Sequence, residues 1–319
     1  MRNRLMHWNG SVVEMLIISA TIVCLTIFNP AASAAKNSVD QYEFWSTVGM
    51  KAAVEALDNL RHTSRRYAGA GKYIVLSNAG YAEVNEQSTM AALDGLSDVI
   101  GVSRGANTLV EVHSAPRAPL WFAVFNKKSG YCAYLQVDPD QIKQIKTVRQ
   151  LARSDAEKIF KIISTERIDA DYLFSTNPAN FAPNFGDNVF GIVTIANAVA
   201  ADAPAYVIRS FEFHDHYCPG VTSGIFMANY AKAFFTQSET ESWFVQGVQP
   251  WCKEDALMVM LNATPGKSGY AVTYSTAEQR KAWGDYQNAS SIIYHKNKGA
   301  KEWQGIVLSF TFPDGQTTG

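Results

Sequence analysis

Apolar residues recur at two different spacings along the chain, and these spacings separate predicted helices from predicted strands. A spacing of three to four residues predicts helices at residues 39–60, 89–100, 188–201, 221–235 and 254–261. Short β-branched and aromatic runs between turn residues predict strands at residues 72–77, 108–112, 120–126, 131–137, 242–248, 270–274, 291–295 and 305–312. The pattern therefore predicts an α+β fold in which mixed or antiparallel sheets pack with helices.

The predicted elements follow the same order in the two halves of the chain. Each half has a helix, a strand, a second helix and further strands, and the last two strands are joined by a hairpin loop, at residues 127–130 and at residues 296–299. Asp94-Gly95-Leu96 in the first half aligns without gaps on Asp255-Ala256-Leu257 in the second. We interpret this order as a degenerate internal duplication, in which two α+β units pack with pseudo-two-fold symmetry.

A helical connector is predicted between the two units. Apolar positions at helical spacing predict helix within residues 139–168, and a stretch rich in Asn, Pro and Phe predicts a loop before the next helix. The predicted domain plan therefore has a first unit at residues 35–138, a connector at residues 139–202 and a second unit at residues 203–319.

The N-terminus has the pattern of a secretory signal peptide. Two arginines lie among the first four residues, residues 16–28 form an apolar core, and Ala-Ser-Ala at residues 32–34 is a small-x-small cleavage site. We therefore expect residues 1–34 to be removed and the mature chain to begin near Ala35, in a periplasmic or extracellular location. An uncleaved membrane anchor is the alternative, although the apolar run is shorter than the ~20 residues that a membrane span needs.

The charge balance of the predicted mature chain limits its partners. Removal of residues 1–34 takes away two arginines and one glutamate, which leaves 26 basic and 28 acidic residues and a net charge of −2. A surface for nucleic acid or for anionic membranes would need an excess of basic residues. We therefore expect no nucleic acid as partner. The expected ligand is a metal ion or a small molecule, with an uptake system as a further partner, and this expectation rests on the motif described next.

Residues 213–220 concentrate metal-binding residue types. His214, His216 and Cys218 alternate here, and a Pro-Gly pair follows at once, before a predicted helix. Imidazole and thiolate are the ligands that zinc and other late first-row metals prefer. The N-terminus of a helix also favours a thiolate, so the same residues would make an activated cysteine nucleophile with a histidine base. A capped turn with hydrogen-bonded histidines is the third alternative.

The motif His-x-His-x-Cys-Pro-Gly at residues 214–220 resembles the signature of the FmdE family, which takes its name from formylmethanofuran dehydrogenase. A second block supports the resemblance, with Cys-Lys-Glu-Asp-Ala-Leu at residues 252–257 and Thr-Pro-Gly-Lys at residues 264–267. Both blocks have the order and spacing of the family. The resemblance covers residues 203–310.

The sequence departs from the FmdE pattern at two positions, and its first half departs further. Asp215 stands where family members usually have glycine, and Ala263 stands where they often have a further cysteine. In the first half, the counterpart of the motif lies near residues 41–45 and has no histidine or cysteine. The resemblance thus implies two FmdE-like (FwdE/GAPDH-domain-like) units, of which only the second carries the site.

The resemblance also implies a metal site that is built from both blocks. His214, His216 and Cys218 come from the first block, and Cys252 would complete a set of four ligands for zinc or another late first-row divalent metal. A disulfide between Cys218 and Cys252 is an alternative in an oxidising compartment. Cys132 lies in a predicted strand and is expected to be core.

A catalytic role is the alternative to metal binding, and it uses some of the same residues. Cys218 would then be the nucleophile, with His216 and Asp255 as acid–base partners. Asp255 would serve a metal instead as a ligand or as the group that orients a histidine. The Thr264 and Lys267 turn is expected to bind an anionic group of a cofactor or substrate.

Three functions therefore stay open. The first is an exported metal-binding protein that handles a metal or a metal-bearing cofactor. The second is a zinc- or cysteine-dependent hydrolase or transferase, and the third is a purely structural disulfide. The dehydrogenase activity named by the family is not transferred, because the chain lacks the four-cysteine runs of an iron–sulfur protein. His113 and His295 are expected to be structural.

Overall fold

The computed structural model describes residues 34–63, 72–178, 181–235 and 241–312, and side chains from residue 40 onward. Contacts divide the chain into Met1–Glu43 and Phe44–Gly319, and the first of these units is described only from the start of its helix. Residues 1–33 of the predicted signal peptide lie outside the described ranges. Within those ranges, no helix combines the length and the apolar character that crossing a membrane requires.

Helices and strands follow the predicted order. The first part contains α1 (Ala34–Thr63), β1 (Tyr73–Ser77), β2 (Glu83–Val84), β3 (Gln87–Ser88), α2 (Ala92–Ile100), β4 (Leu109–Glu111), β5 (Trp121–Asn126) and β6 (Tyr131–Val137). The middle contains α3 (Pro139–Gln144), α4 (Val148–Arg153), β7 (Phe160–Arg167), α5 (Ala170–Thr176) and α6 (Val189–Ala200). The last part contains α7 (Ala205–His214), α8 (Pro219–Phe234), β8 (Glu241–Val248), α9 (Lys253–Leu261), β9 (Tyr270–Thr273), α10 (Ala277–Lys281), β10 (Ser291–Asn297) and β11 (Gln304–Leu308). The predicted α+β class is confirmed.

The first sheet has the strand order β4-β1-β5-β6-β7. β1 runs parallel to β4, and the other neighbours run antiparallel. At the centre, Val75 of β1 pairs with Leu109 of β4 on one side and with Val124 of β5 on the other. The parallel pair is connected through helix α2, as a parallel connection requires.

The second sheet repeats this arrangement with the order β9-β8-β10-β11. β8 runs parallel to β9, and the other neighbours run antiparallel. Val245 of β8 pairs with Tyr270 of β9 and with Ile293 of β10, as Val75 pairs with its two neighbours. Apart from β7, strand order and direction therefore agree in the two sheets. This is what the predicted duplication requires of the strands, and the duplication itself stays a prediction.

In each half, a glycine lets two helices approach closely. A Cβ atom on Gly49 of α1 would lie 2.0 Å from the carbonyl oxygen of Ala92 in α2. A Cβ atom on Gly224 of α8 would lie 2.3 Å from the carbonyl oxygen of Lys253 in α9. Both distances are far below van der Waals contact, so a side chain at either position would force the two helices apart.

The first sheet is buried on both faces, because successive side chains of a strand point to opposite sides. Val75 packs in a core with residues of α1 and α2, whereas Ile74 and Leu76 pack in a second core with residues of α6 and α7. The second core continues through α8 and α9 to Val245 of β8. Helices α6 and α7 therefore belong to a core that both sheets share.

The connector is not wholly helical, which corrects the prediction for its centre. Residues 160–167 form strand β7, which pairs antiparallel with β6 at the edge of the first sheet. The helical spacing that Ile159, Phe160 and Ile163 suggested is overridden by hydrogen bonding to β6. The β-branched residues of this segment, which suit a strand, are Ile162, Ile163 and Thr165.

Candidate metal centre

Helix α7 holds His214 in its last turn. Two residues earlier, the buried carboxylate of Glu212 forms ion pairs with Arg104 from the first half and Arg209 from α7 itself. Asp215 ends the helix with a left-handed backbone, at φ 64°. The helix end is thus fixed to the first half of the chain, and the chain turns sharply after His214.

Helix α6 holds the turn that follows. A Cβ atom on Gly191 would lie 2.5 Å from the carbonyl oxygen of Asp215, so only glycine allows the turn to lie this close to α6. One helical turn later, the hydroxyl of Thr194 accepts a hydrogen bond from the backbone N–H of Tyr217 at 3.1 Å. Residues of α6, which lie outside the motif, therefore hold the segment from Asp215 to Tyr217 in place.

Cys218 begins helix α8. It is the N-cap residue, and its sulfur accepts a hydrogen bond from the backbone N–H of Val221 at 3.5 Å. Pro219 suits the first helical position because it has no N–H to satisfy. A Cβ atom on Gly220 would lie 2.7 Å from the Cβ of Cys252, so this glycine makes room for the second cysteine.

Cys252 lies at the N-cap of α9, and buried charges fix the start of this helix. The fully buried side chain of Lys253 donates hydrogen bonds to the carbonyl oxygens of Val248 and Gln249, and to the carboxylate of Glu254. A buried ammonium group must be paired in this way, because it otherwise carries a large desolvation cost. The position of Cys252 relative to β8 is therefore tightly determined.

The structure brings His214, His216, Cys218 and Cys252 together. Each offers one ligand atom, and these four atoms all lie within 4.8 Å of one another. In a tetrahedral zinc site with Zn–N of about 2.0–2.1 Å and Zn–S of about 2.3 Å, ligand atoms are roughly 3.3–3.8 Å apart. The four side chains would need to close by only about 1 Å, so the donor set fits zinc in both chemistry and spacing.

Each histidine of the cluster has a carboxylate on its Nδ1 atom. Nδ1 of His214 lies 2.6 Å from Oδ2 of Asp255, and Nδ1 of His216 lies 2.6 Å from Oδ1 of Asp215. Such pairs fix the tautomer of a ligating histidine and leave Nε2 as the metal-binding atom. Asp255 therefore orients a histidine, one of the three roles considered for it. Asp215, the departure from the family pattern, does the same for the second histidine.

Without a metal, the surroundings of the cluster favour the protonated form of His214 and the thiolate form of Cys218. Burial alone would lower the pKa of His214, but its bonds to Asp255 and Cys218 outweigh burial and raise the pKa to about 9. Burial opposes ionisation of Cys218, but His214 and the N–H of Val221 lower the pKa of its thiol to about 6. Burial and the neighbouring Cys218 raise the pKa of Cys252 to about 11. The two cysteines do not form a disulfide in the structure.

Thr264 and Lys267 lie at the other end of α9 from the cluster. Cys252 precedes the helix, whereas Thr264 and Lys267 belong to the turn after it, and a helix of this length spans about 13 Å. Lys267 bonds to the side chain of Asn262 and lines a separate cavity. Ala263 is buried at the same end, so the four-ligand cluster forms without the cysteine that the family often has there.

The second half of the chain matches the FmdE family model, described as FmdE, molybdenum formylmethanofuran dehydrogenase operon, over residues 213–307. This segment is an FmdE domain. It contains all four ligand residues of the cluster, and both aspartates that orient the histidines. A search of curated proteins found no match to the chain.

Several residues that position the FmdE site were not identified from the sequence. Glu212 and Thr194 have partners that are distant in the chain, so no local pattern marks them. Lys253 has partners four and five residues away, but a lysine is not expected from its sequence to be fully buried. Asp215 did carry a signal, since it directly precedes His216, the histidine to which it bonds. His295 is buried, with Nε2 at 2.9 Å from a carboxylate oxygen of Glu241.

Proposed function

We propose that the chain is an exported FmdE-family protein that binds one zinc or another late first-row divalent ion through His214, His216, Cys218 and Cys252. The observation that carries the proposal is the convergence of four ligand atoms within 4.8 Å of one another. A set of two nitrogen and two sulfur donors binds zinc in preference to magnesium or calcium.

The proposed role is to hold the metal, for the handling of a metal ion or a metal-bearing cofactor. Four protein ligands complete a tetrahedron, whereas a catalytic zinc usually keeps one position for water or substrate. The cysteines bind a metal as thiolates, so metal uptake releases protons and becomes tighter as pH rises. The aspartates on both histidines orient the rings and leave Nε2 as the metal-binding atom, and binding of a metal would displace the proton from that atom.

Elemental analysis of the purified mature protein, with a count of free thiols, tests the proposal. We expect about one metal ion per chain and loss of that metal in Cys218→Ser, because a neutral hydroxyl is a poor zinc ligand. Cys132→Ala is the matched control, since it removes a thiol that is buried in β6, outside the cluster. Full metal content in Cys218→Ser would exclude the proposed ligand set, and a Cys218–Cys252 disulfide in the mature protein would support the structural alternative.

Export is part of the proposal and has its own test. It is supported by the charged, apolar and small-residue pattern of residues 1–34. N-terminal sequencing of the protein from its native cell should find a start near Ala35. An intact Met1 on protein that is retained in membranes would contradict cleavage.

A cysteine-dependent hydrolase or transferase is the second candidate, because the metal-free cluster also resembles a catalytic triad. Nε2 of His214 lies 3.9 Å from the sulfur of Cys218, and its Nδ1 bonds to Asp255. The histidine that contacts both Cys218 and Asp255 is therefore His214. The sequence had suggested His216 for this role. In this reading the thiolate attacks an acyl carbon, and protonated His214 donates its proton to the leaving group.

Metal binding and nucleophilic catalysis use the same atoms, so they exclude each other in one molecule. Alkylation by iodoacetamide separates them. The proposed function predicts slow alkylation of Cys218 in the purified protein and faster alkylation after treatment with a chelator. The catalytic alternative predicts fast alkylation without a chelator and a large loss of rate in His214→Gln.

A further inference from the structure

A cavity of about 270 Å³ lies beside the metal cluster, on the side of His216. The end of the first sheet, the start of α6 and the turn after α7 together form its walls. Its chemically informative lining residues are Asn78, His113, Trp121, Asp187, Phe190 and His216. Pockets for drug-sized ligands measure about 300–1,000 Å³, so this cavity suits a smaller molecule.

The cavity lies at the carboxyl ends of the parallel strand pair of the first sheet. Asn78 directly follows β1 and His113 lies two residues after β4, and these two strands are parallel. Ligands commonly bind outside the carboxyl ends of parallel strands, where the connecting loops diverge. The first half of the chain, which lacks the metal-binding residues, therefore contributes a wall to a pocket that opens on the site of the second half.

Aromatic rings in and around the cavity favour a flat ligand. The exposed ring of Phe190 lies 5.2 Å from the ring of His216, between centroids. On the other wall, His113 stacks against Phe213 with an interplanar angle of 8°. Trp121 forms part of the base and is 4% exposed. Such faces attract flat groups and, through their quadrupoles, cations.

The polar atoms of the cavity favour a ligand that donates hydrogen bonds. Asp187 and Asp215 are the acidic residues of the lining, and neither lysine nor arginine is among the described residues that line the cavity. Nδ1 of His113 lies 3.2 Å from the carbonyl oxygen of Phe213, which assigns the proton to Nδ1 and leaves Nε2 as an acceptor. A ligand with positive charge and N–H groups would complement this lining.

We propose that the cavity binds a small, flat organic cation with N–H donors beside the metal. The inference rests on the proposed function in one respect, which is that the ligand is held next to the proposed metal site. Asp187 supplies charge recognition from the segment before α6, and Phe190 supplies the flat contact surface. The first half of the chain then has a binding role in addition to a structural one.

Calorimetric titration of the zinc-loaded mature protein with benzamidine, benzamide and benzoate tests this inference. The three probes have nearly the same flat shape and differ in charge, from cation to neutral to anion. We expect saturable binding of benzamidine, weaker binding of benzamide and none of benzoate. Asp187→Asn should weaken benzamidine binding by about tenfold, as expected for the loss of one close charge pair. Asp171→Asn, which changes an exposed aspartate of α5 that is not among the lining residues, should leave it unchanged.

The inference is overturned if benzoate binds as well as benzamidine, if benzamidine shows no saturable binding, or if Asp187→Asn has no effect. Zinc content is measured on the same samples, so the two proposals fail separately. Zinc-loaded protein that does not bind benzamidine contradicts the cavity alone. Protein that takes up no zinc but binds benzamidine contradicts the metal site alone.

Discussion

At the scale of single residues, two aspartates orient the histidines of the candidate metal site. Asp255 and Asp215 each accept a hydrogen bond from Nδ1 of a histidine at 2.6 Å, which leaves Nε2 as the atom that would bind a metal. The two differ in surroundings, because the carboxylate of Asp255 is 31% exposed and that of Asp215 is 63% exposed. Solvent weakens a hydrogen bond of this kind, so we expect Asp255 to matter more.

Asp255→Asn should lower the affinity for zinc by about 10–100-fold while all four ligands stay in place. An amide in place of the carboxylate no longer fixes the tautomer of His214 or increases its basicity. Competition with a chromophoric chelator measures the affinity. Asp94→Asn is the matched control, since Asp94 is the aligned residue in α2, in the half without a site. An unchanged affinity in Asp255→Asn would exclude its orienting role.

Asp215→Gly should separate backbone strain from metal binding. Asp215 has φ 64°, a conformation that glycine adopts without steric cost, so the metal-free protein should be as stable or more stable. Zinc affinity should fall nevertheless, by up to about tenfold, because His216 loses its partner. Asp202→Gly is the control, at φ 59° and outside the cluster, and it should leave zinc affinity unchanged. Equal zinc affinity in Asp215→Gly and the native protein would contradict the role of this carboxylate.

At the scale of elements, the start of α8 and the start of α9 must approach each other for the two cysteines to share a metal. Gly220 and Gly224 lie on the face of α8 that contacts α9. Gly220 leaves room for the side chain of Cys252, and Gly224 leaves room for the backbone of Lys253. The separation of the helices therefore sets the distance between Cys218 and Cys252.

Gly224→Ala should destabilise the fold by about 1–3 kcal/mol and also weaken zinc binding, because the added methyl group separates α8 from α9. Gly49→Ala introduces a comparable clash between α1 and α2 and should destabilise the fold without a direct effect on zinc binding. In Gly266→Ala, no atom lies within 4 Å of the new Cβ, so this variant is the control that should change neither stability nor zinc binding. Chemical denaturation and zinc titration measure the two effects. Equal zinc affinity in Gly224→Ala and Gly49→Ala would contradict the coupling.

Helices and strands were predictable where the local sequence alone determined their type and bounds. β6 and α9 have strong local patterns, and their predicted ranges differ from the observed ones by at most one residue. β7 was missed because its residues 160–167 fit helical spacing as well as strand alternation, and only pairing with β6 decides between them. Periodicity describes one segment at a time, whereas strand pairing depends on a partner elsewhere in the chain.

At the scale of the whole molecule, the two halves use matching strand orders for different tasks. The second half carries the four candidate metal ligands, and the first half fixes α7 through Arg104 and lines the cavity with His113 and Trp121. The proximity of the motif to Cys252 was predictable because both supply residue types that bind late first-row metals and both resemble blocks of a known family. The cavity was not, since its walls come from loops whose proximity depends on how α6 and α7 pack on the first sheet.

The central claim is that one metal is held by two histidines and two cysteines. X-ray absorption at the zinc K-edge of the purified, zinc-loaded mature protein tests this claim most directly. We expect two sulfur ligands at about 2.3 Å and two nitrogen ligands at about 2.0–2.1 Å. A zinc ion surrounded only by nitrogen and oxygen, or by a single sulfur, would contradict the claim that Cys218 and Cys252 both bind the metal.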